Sequence, residues 1–155
     1  MVYRAFGTAG AADQARRLRA IARRRGLMLL IGADSRLAAA IGAHGVHLPE
    51  RLAHRAGRLK VAHPRWLVTA AAHGLSAARR AIRAGADAVV VSPVFASNSP
   101  SAGSPLGPHR LAAIARQTGG PVYGLGGVKD ENAPRLLDTG LSGLAAVEGL
   151  ARPRT

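Results

Sequence analysis

The chain has 155 residues, and among them there is no cysteine, only 8 Asp+Glu and an aromatic content of 3%. Without cysteine there is no disulfide framework, no thiolate zinc site and no Cys nucleophile. No apolar run is long enough for a transmembrane helix. The start, Met1-Val2-Tyr3-Arg4-Ala5-Phe6, lacks the basic stretch and apolar core of a secretory signal. The expected location is therefore the reducing cytoplasm. With so few rings, Leu, Val, Ile and Ala must build the core, which suits close-packed strand and helix layers better than a small sandwich. Trp66, Tyr3, Tyr123, Phe6 and Phe95 are scattered, so no stacking platform for bases is legible.

What is abundant is arginine. Lys+Arg number 22 and the formal net charge is +14, with Lys60 and Lys129 the only lysines. The densest cluster, Arg16 to Arg25, is interleaved with Ala15, Leu18, Ile21 and Ala22 at helical spacing. This reads as the solvated face of an amphipathic helix in preference to a nucleic-acid surface. The positive field still favours anionic metabolites such as phosphates.

Short apolar runs alternate with helical patterns from end to end. Strands are expected at Val2 to Phe6, Leu27 to Gly32, Gly45 to Leu48, Trp66 to Ala71, Ala88 to Pro93, Val122 to Gly126 and Gly143 to Val147. Helices are expected at 11–25, 34–43, 50–60, 74–84, 108–117 and 129–138. Continuous runs such as Leu27-Met28-Leu29-Leu30-Ile31 and Ala88-Val89-Val90-Val91 imply strands buried on both faces, hence a parallel sheet and the α/β class. Gly26, Gly42, Gly45, Gly85 and Gly140 follow helical segments, where a left-handed cap favours glycine. Asp34 and Ser76 are candidate N-caps. Three helix-to-strand connections share one form: Gly42-Ala43-His44-Gly45-Val46, Gly85-Ala86-Asp87-Ala88-Val89 and Gly140-Leu141-Ser142-Gly143-Leu144. This repeat favours a TIM-type parallel barrel over an open sheet.

In such a barrel the site lies at the C-terminal strand ends. Gly124-Leu125-Gly126-Gly127 ends one strand there, and its glycines would let backbone N–H groups approach an anion; a simple tight turn is the alternative. Ser92 to Gly107 is a long Gly/Pro/Ser-rich loop after a buried strand, whose hydroxyls would donate to phosphate if it is not merely a surface loop. Among the six histidines none has convincing partner spacing for a metal or acid/base role, so His47 and His73 read first as satisfied buried or rim residues. Any Mg²⁺ site must draw on Asp34, Glu50 and Glu148, the acids near strand ends.

Three stretches together resemble thiamine phosphate synthase and its TenI relatives: Ile41-Gly42-Ala43-His44-Gly45-Val46-His47-Leu48, the loop from Pro93-Val94-Phe95 to Pro105-Leu106-Gly107, and Gly124-Leu125-Gly126-Gly127-Val128 followed by Glu131-Asn132-Ala133. Their order and gaps match over nearly the whole chain. The resemblance implies a (βα)₈ barrel that joins hydroxymethylpyrimidine diphosphate to thiazole phosphate, with Mg²⁺ at the diphosphate and release of pyrophosphate. It implies phosphate contacts from Ser97, Ser99, Gly126 and Gly127. It leaves Arg4 as the retained member of the diphosphate motif, and Asp34 and Glu50 as candidate catalytic and metal residues. The family's Asn-Asp pair falls on Gly32-Ala33, its second metal Asp on Leu52, its phosphate-loop lysine on Pro100 and its last phosphate Ser on Glu148. Pro93 stands where the tautomerase branch has histidine. The partners implied are phosphorylated pyrimidine and thiazole compounds, with no membrane and no nucleic acid. A catalytically weak barrel binding a phosphorylated precursor or a protein partner is the alternative.

A full barrel needs about 200 residues. Aligned to the family, this chain begins at the second strand, so one domain over 1–151 with a 152–155 tail should lack the first βα unit and the last helix. An open seam is expected between the Val2 to Phe6 and Gly143 to Val147 strands, with free edges that invite homo-oligomers.

Overall fold

The computed structural model describes residues 1–4, 7–97 and 103–147. All seven expected strands form: β1 (Val2–Tyr3), β2 (Leu30–Gly32), β3 (Gly45–Leu48), β4 (Leu67–Ala72), β5 (Ala88–Val91), β6 (Val122–Leu125) and β7 (Gly143–Ala145). They make one sheet in the order β1-β2-β3-β4-β5-β6-β7, and every neighbouring pair is parallel. A strand order that never reverses belongs to a barrel wall, whereas a doubly wound sheet changes direction at a switch point. The expected seam is present: among the described residues, β1 and β7 are the two ends of the order, each with a single neighbour.

Between the strands lie α1 (Ala11–Arg24), α2 (Ser35–Ala40), α3 (Ala56–Ala62), α4 (Leu75–Arg83) and α5 (Gly107–Thr118). None is long and apolar enough to cross a membrane. Two expected helices differ. The 50–60 helix begins as a 3₁₀ segment, Glu50–Arg55, before α3, because the Leu52 N–H closes a tight first turn on the Pro49 carbonyl. The 129–138 helix is reduced to one 3₁₀ turn, Ala133–Leu136. There Asn132 Oδ1 accepts the Lys129 N–H, the Asn132 and Ala133 N–H groups both close on the Lys129 carbonyl, and Pro134 has no N–H to donate. Of the two candidate N-caps, Asp34 serves as one: its Oδ1 accepts the Leu37 N–H at 2.9 Å at the start of α2. Ser76 is no cap; its hydroxyl accepts from Arg80.

The sheet's two faces differ. Ile31, Val46, Val68, Ala70, Val89 and Val91 are wholly buried beneath the helices. On the opposite face, the register aligns Gly32, His47, Thr69 and Ala88 across four strands, and neighbours such as Leu67, Ala71 and Val90 are only half-buried. Leu27 and Met28 are about half exposed, which is why β2 starts later than the apolar run suggests. Gly45 is needed for a close approach: at φ 153°, a Cβ would run into the Leu67 carbonyl of β4.

The repeated connections act as brackets. The His44 N–H donates to the Leu29 carbonyl and its Nδ1 accepts the Leu29 N–H; the Asp87 N–H donates to the Val68 carbonyl and its Oδ2 accepts the Val68 N–H. The third connection keeps the backbone half, Ser142 N–H to the Val122 carbonyl. Asp87 also binds Lys60 Nζ at 2.9 and 3.1 Å. These contacts sit at the N-terminal strand ends, the end of a barrel given to stability.

Candidate active site

At the C-terminal ends, the loops after β5 and β6 are laced together. The Val94 N–H donates to the Leu125 carbonyl and the Phe95 N–H to the Gly126 carbonyl, both at 2.9 Å. Gly126 (φ 99°) and Gly127 (φ 63°) sit against this loop so closely that a Cβ on Gly126 would lie 2.9 Å from Pro93 Cα, and one on Gly127 would strike the Ala96 carbonyl. The glycine pair is therefore fixed by packing as well as by backbone freedom. Asn132 braces it from behind, its amide donating to the Gly127 carbonyl at 2.8 Å. The Arg135 guanidinium lies 5.4 Å from the centre of the Phe95 ring, a cation–π contact that holds the loop from the other side. Ser97 is half-buried at the end of the described loop. Ser99, Glu148 and the 152–155 tail lie outside the described residues.

Across the wall, Arg4 follows β1 and crosses Gly32: a Cβ there would come within 3.0 Å of Arg4 Cγ. Arg4 lies near His47, whose Nδ1 is 2.9 Å from Thr69 Oγ1. Burial and the Arg4 charge lower the His47 pKa to about 4, so this imidazole is neutral at pH 7. His47 is thus a satisfied strand histidine, as the sequence suggests.

Asp34 and Glu50 each have partners within the chain. Asp34 spends one oxygen on the α2 cap. Glu50 Oε2 accepts both the His73 N–H at 3.0 Å and its ring Nδ1 at 2.8 Å, while Oε1 is 3.7 Å from Arg80. Among the described residues, no group of three or more His, Asp or Glu side chains is arranged to hold a metal ion. Sequence reasoning missed the Glu50–His73 pair because its members are 23 positions apart and meet only when β3 and β4 align. It also missed Asn132 as a brace, although that residue lies in the third of the family-like stretches.

The model of the thiamine monophosphate synthase family matches residues 3–150. The chain belongs to this family. A putative thiamine-phosphate synthase of Geobacter sulfurreducens is 35% identical over 139 residues, covering 89% of this chain and 65% of that protein. Putative thiamine-phosphate synthase 2 of Aquifex aeolicus is 32% identical, covering 86% of this chain and 71% of that one. The chain thus spans about two thirds of the length of these relatives. The solved structure of thiamine phosphate pyrophosphorylase from Pyrococcus furiosus superposes with a TM-score of 0.78 at 24% identity, over 94% of this chain and 70% of that one. That likeness shows the synthase family's barrel fold, here as a seven-stranded wall.

Proposed function

We propose that the chain works in thiamine biosynthesis, joining hydroxymethylpyrimidine diphosphate to thiazole phosphate with release of pyrophosphate. The observation that carries this reading is the rigid Gly126–Gly127 turn, laced to the Pro93–Ser97 loop at the strand ends of a chain in the thiamine monophosphate synthase family. Backbone N–H groups in such a turn suit phosphate oxygens, and Ser97 and Ser99 would add hydroxyl donors. In the reaction, the C–O bond between the pyrimidine methylene and the diphosphate breaks, and its electron pair leaves with pyrophosphate. The thiazole nitrogen forms the new C–N bond to the same methylene carbon. Arg4, which follows β1 at the C-terminal strand ends, would supply positive charge where the leaving group gains negative charge.

A cytoplasmic location goes with these precursors. Among the described residues β1 and β7 each have a single strand neighbour, and such edges support self-association, since unpaired strand edges recruit partners. The test is pyrophosphate release by the purified chain given both precursors. Release above the uncatalysed background is expected, with Arg4→Gln lowering kcat/KM about tenfold or more. Binding of both precursors without release would leave a binding barrel, and no binding of either would overturn the reading.

A further inference from the structure

On the helix-covered side of the wall, the Glu50–Arg55 segment and α4 flank a groove of about 760 Å³. Its floor is set by Ala53 and Ala77, which are 6% and 7% exposed; methyl groups fill too little space to close the gap between two helices. Arg51 rises from one wall, and Arg80 and Arg83 from the other. Glu50 is the one carboxylate among the lining residues, and its Oε2 is already engaged by His73. Among the described residues, Arg51 and Arg83 enter no salt bridge, while Arg80 donates to Ser76 Oγ at 2.8 Å and lies 3.7 Å from Glu50.

Three arginines and one partly engaged carboxylate line the groove, which leaves an excess of positive charge in a concave place. Guanidinium forks match phosphate oxygens in two-point contacts. The volume is that of a small-molecule pocket, whereas an alanine floor offers no deep pocket for the large anchor side chains that drive protein docking. We propose that this groove binds a small molecule carrying two or more phosphoryl groups, at a site separate from the Gly126–Gly127 turn. The site does not depend on the reaction proposed above.

The probe is inorganic pyrophosphate, titrated into the isotope-labelled full chain while backbone amide signals are followed. Signals of Ala53 and Ala77 should shift saturably. The double variant Arg51→Gln/Arg83→Gln, which changes two exposed side chains, should weaken that response about tenfold or more with an unchanged urea midpoint. Any shifts at Gly126 and Gly127 should survive it. Failure of the proposal is equally visible: Ala53 and Ala77 stay fixed, or the double variant responds like the parent, or poly-glutamate binds the groove more tightly than pyrophosphate. Loss of the Gly126 and Gly127 response alone would count against the turn and leave the groove standing.

Discussion

Gly127 lies so close to the Ala96 carbonyl that no side chain fits between them. The turn after β6 and the loop after β5 are thereby one unit, closed by the Phe95 N–H on the Gly126 carbonyl and backed by Asn132. Gly127→Ala adds a left-handed strain of about 1–2 kcal/mol to the displacement of Ala96. The expected outcome is a lower urea midpoint together with weaker thiazole phosphate binding. Wild-type affinity with unchanged stability would show that the loops do not act as one.

Asp87 ties three groups at the other end of the wall: Lys60 Nζ, the Val68 N–H and, through its own N–H, the Val68 carbonyl. Both charged side chains are about a third exposed, so solvent weakens the ion pair. Asp87→Ala should cost about 1–3 kcal/mol, mostly from the orphaned Val68 N–H. Lys60→Met alone should cost about 1 kcal/mol or less. A double-mutant cycle read by urea denaturation separates the two.

His47 titrates near 4 in the fold, against about 6.5 in the unfolded chain. Because the folded value is depressed, the unfolded state binds the extra proton between these limits. Stability is therefore full above pH 6.5 and falls as the pH drops toward 4. At pH 5 the loss from this one group is about 2 kcal/mol. His47→Gln should flatten that part of the stability profile while leaving other titrations in place; a histidine midpoint near 6.5 by NMR would contradict the burial argument.

Among the described residues β7 ends the sheet, with Leu144 43% exposed and Leu137, from the preceding turn, 70% exposed. An open edge beside apolar side chains should bring copies of the chain together. Sedimentation should show species heavier than the 15.9 kDa chain, growing with concentration, and Leu144→Lys should shift them toward monomer. A concentration-independent monomer would refute self-association through this edge.

Much of the fold is legible in the sequence. Continuous β-branched runs announce parallel strands, glycine punctuation announces the joints, and the three repeated connections announce a wall wound in one direction. Local periodicity suffices there because burial on the helix side demands it. Helix ends are less legible: a tight turn on the Lys129 carbonyl precedes one short 3₁₀ segment and a turn on the Pro49 carbonyl opens another, through hydrogen bonds that periodicity does not register. Asp34 and Glu50 look alike as acids near strand ends, yet one caps a helix and the other orients His73.

The sequence by itself determined the class, the strand order and the family, since all three follow from patterns that neighbouring residues carry. Only the tertiary structure decided which acids are engaged, that Arg4 crosses Gly32 toward His47, and that three arginines from two helices share one groove. Those facts depend on distances between residues far apart in the chain, and a side chain's partner is set by register and helix packing, which composition and spacing do not encode.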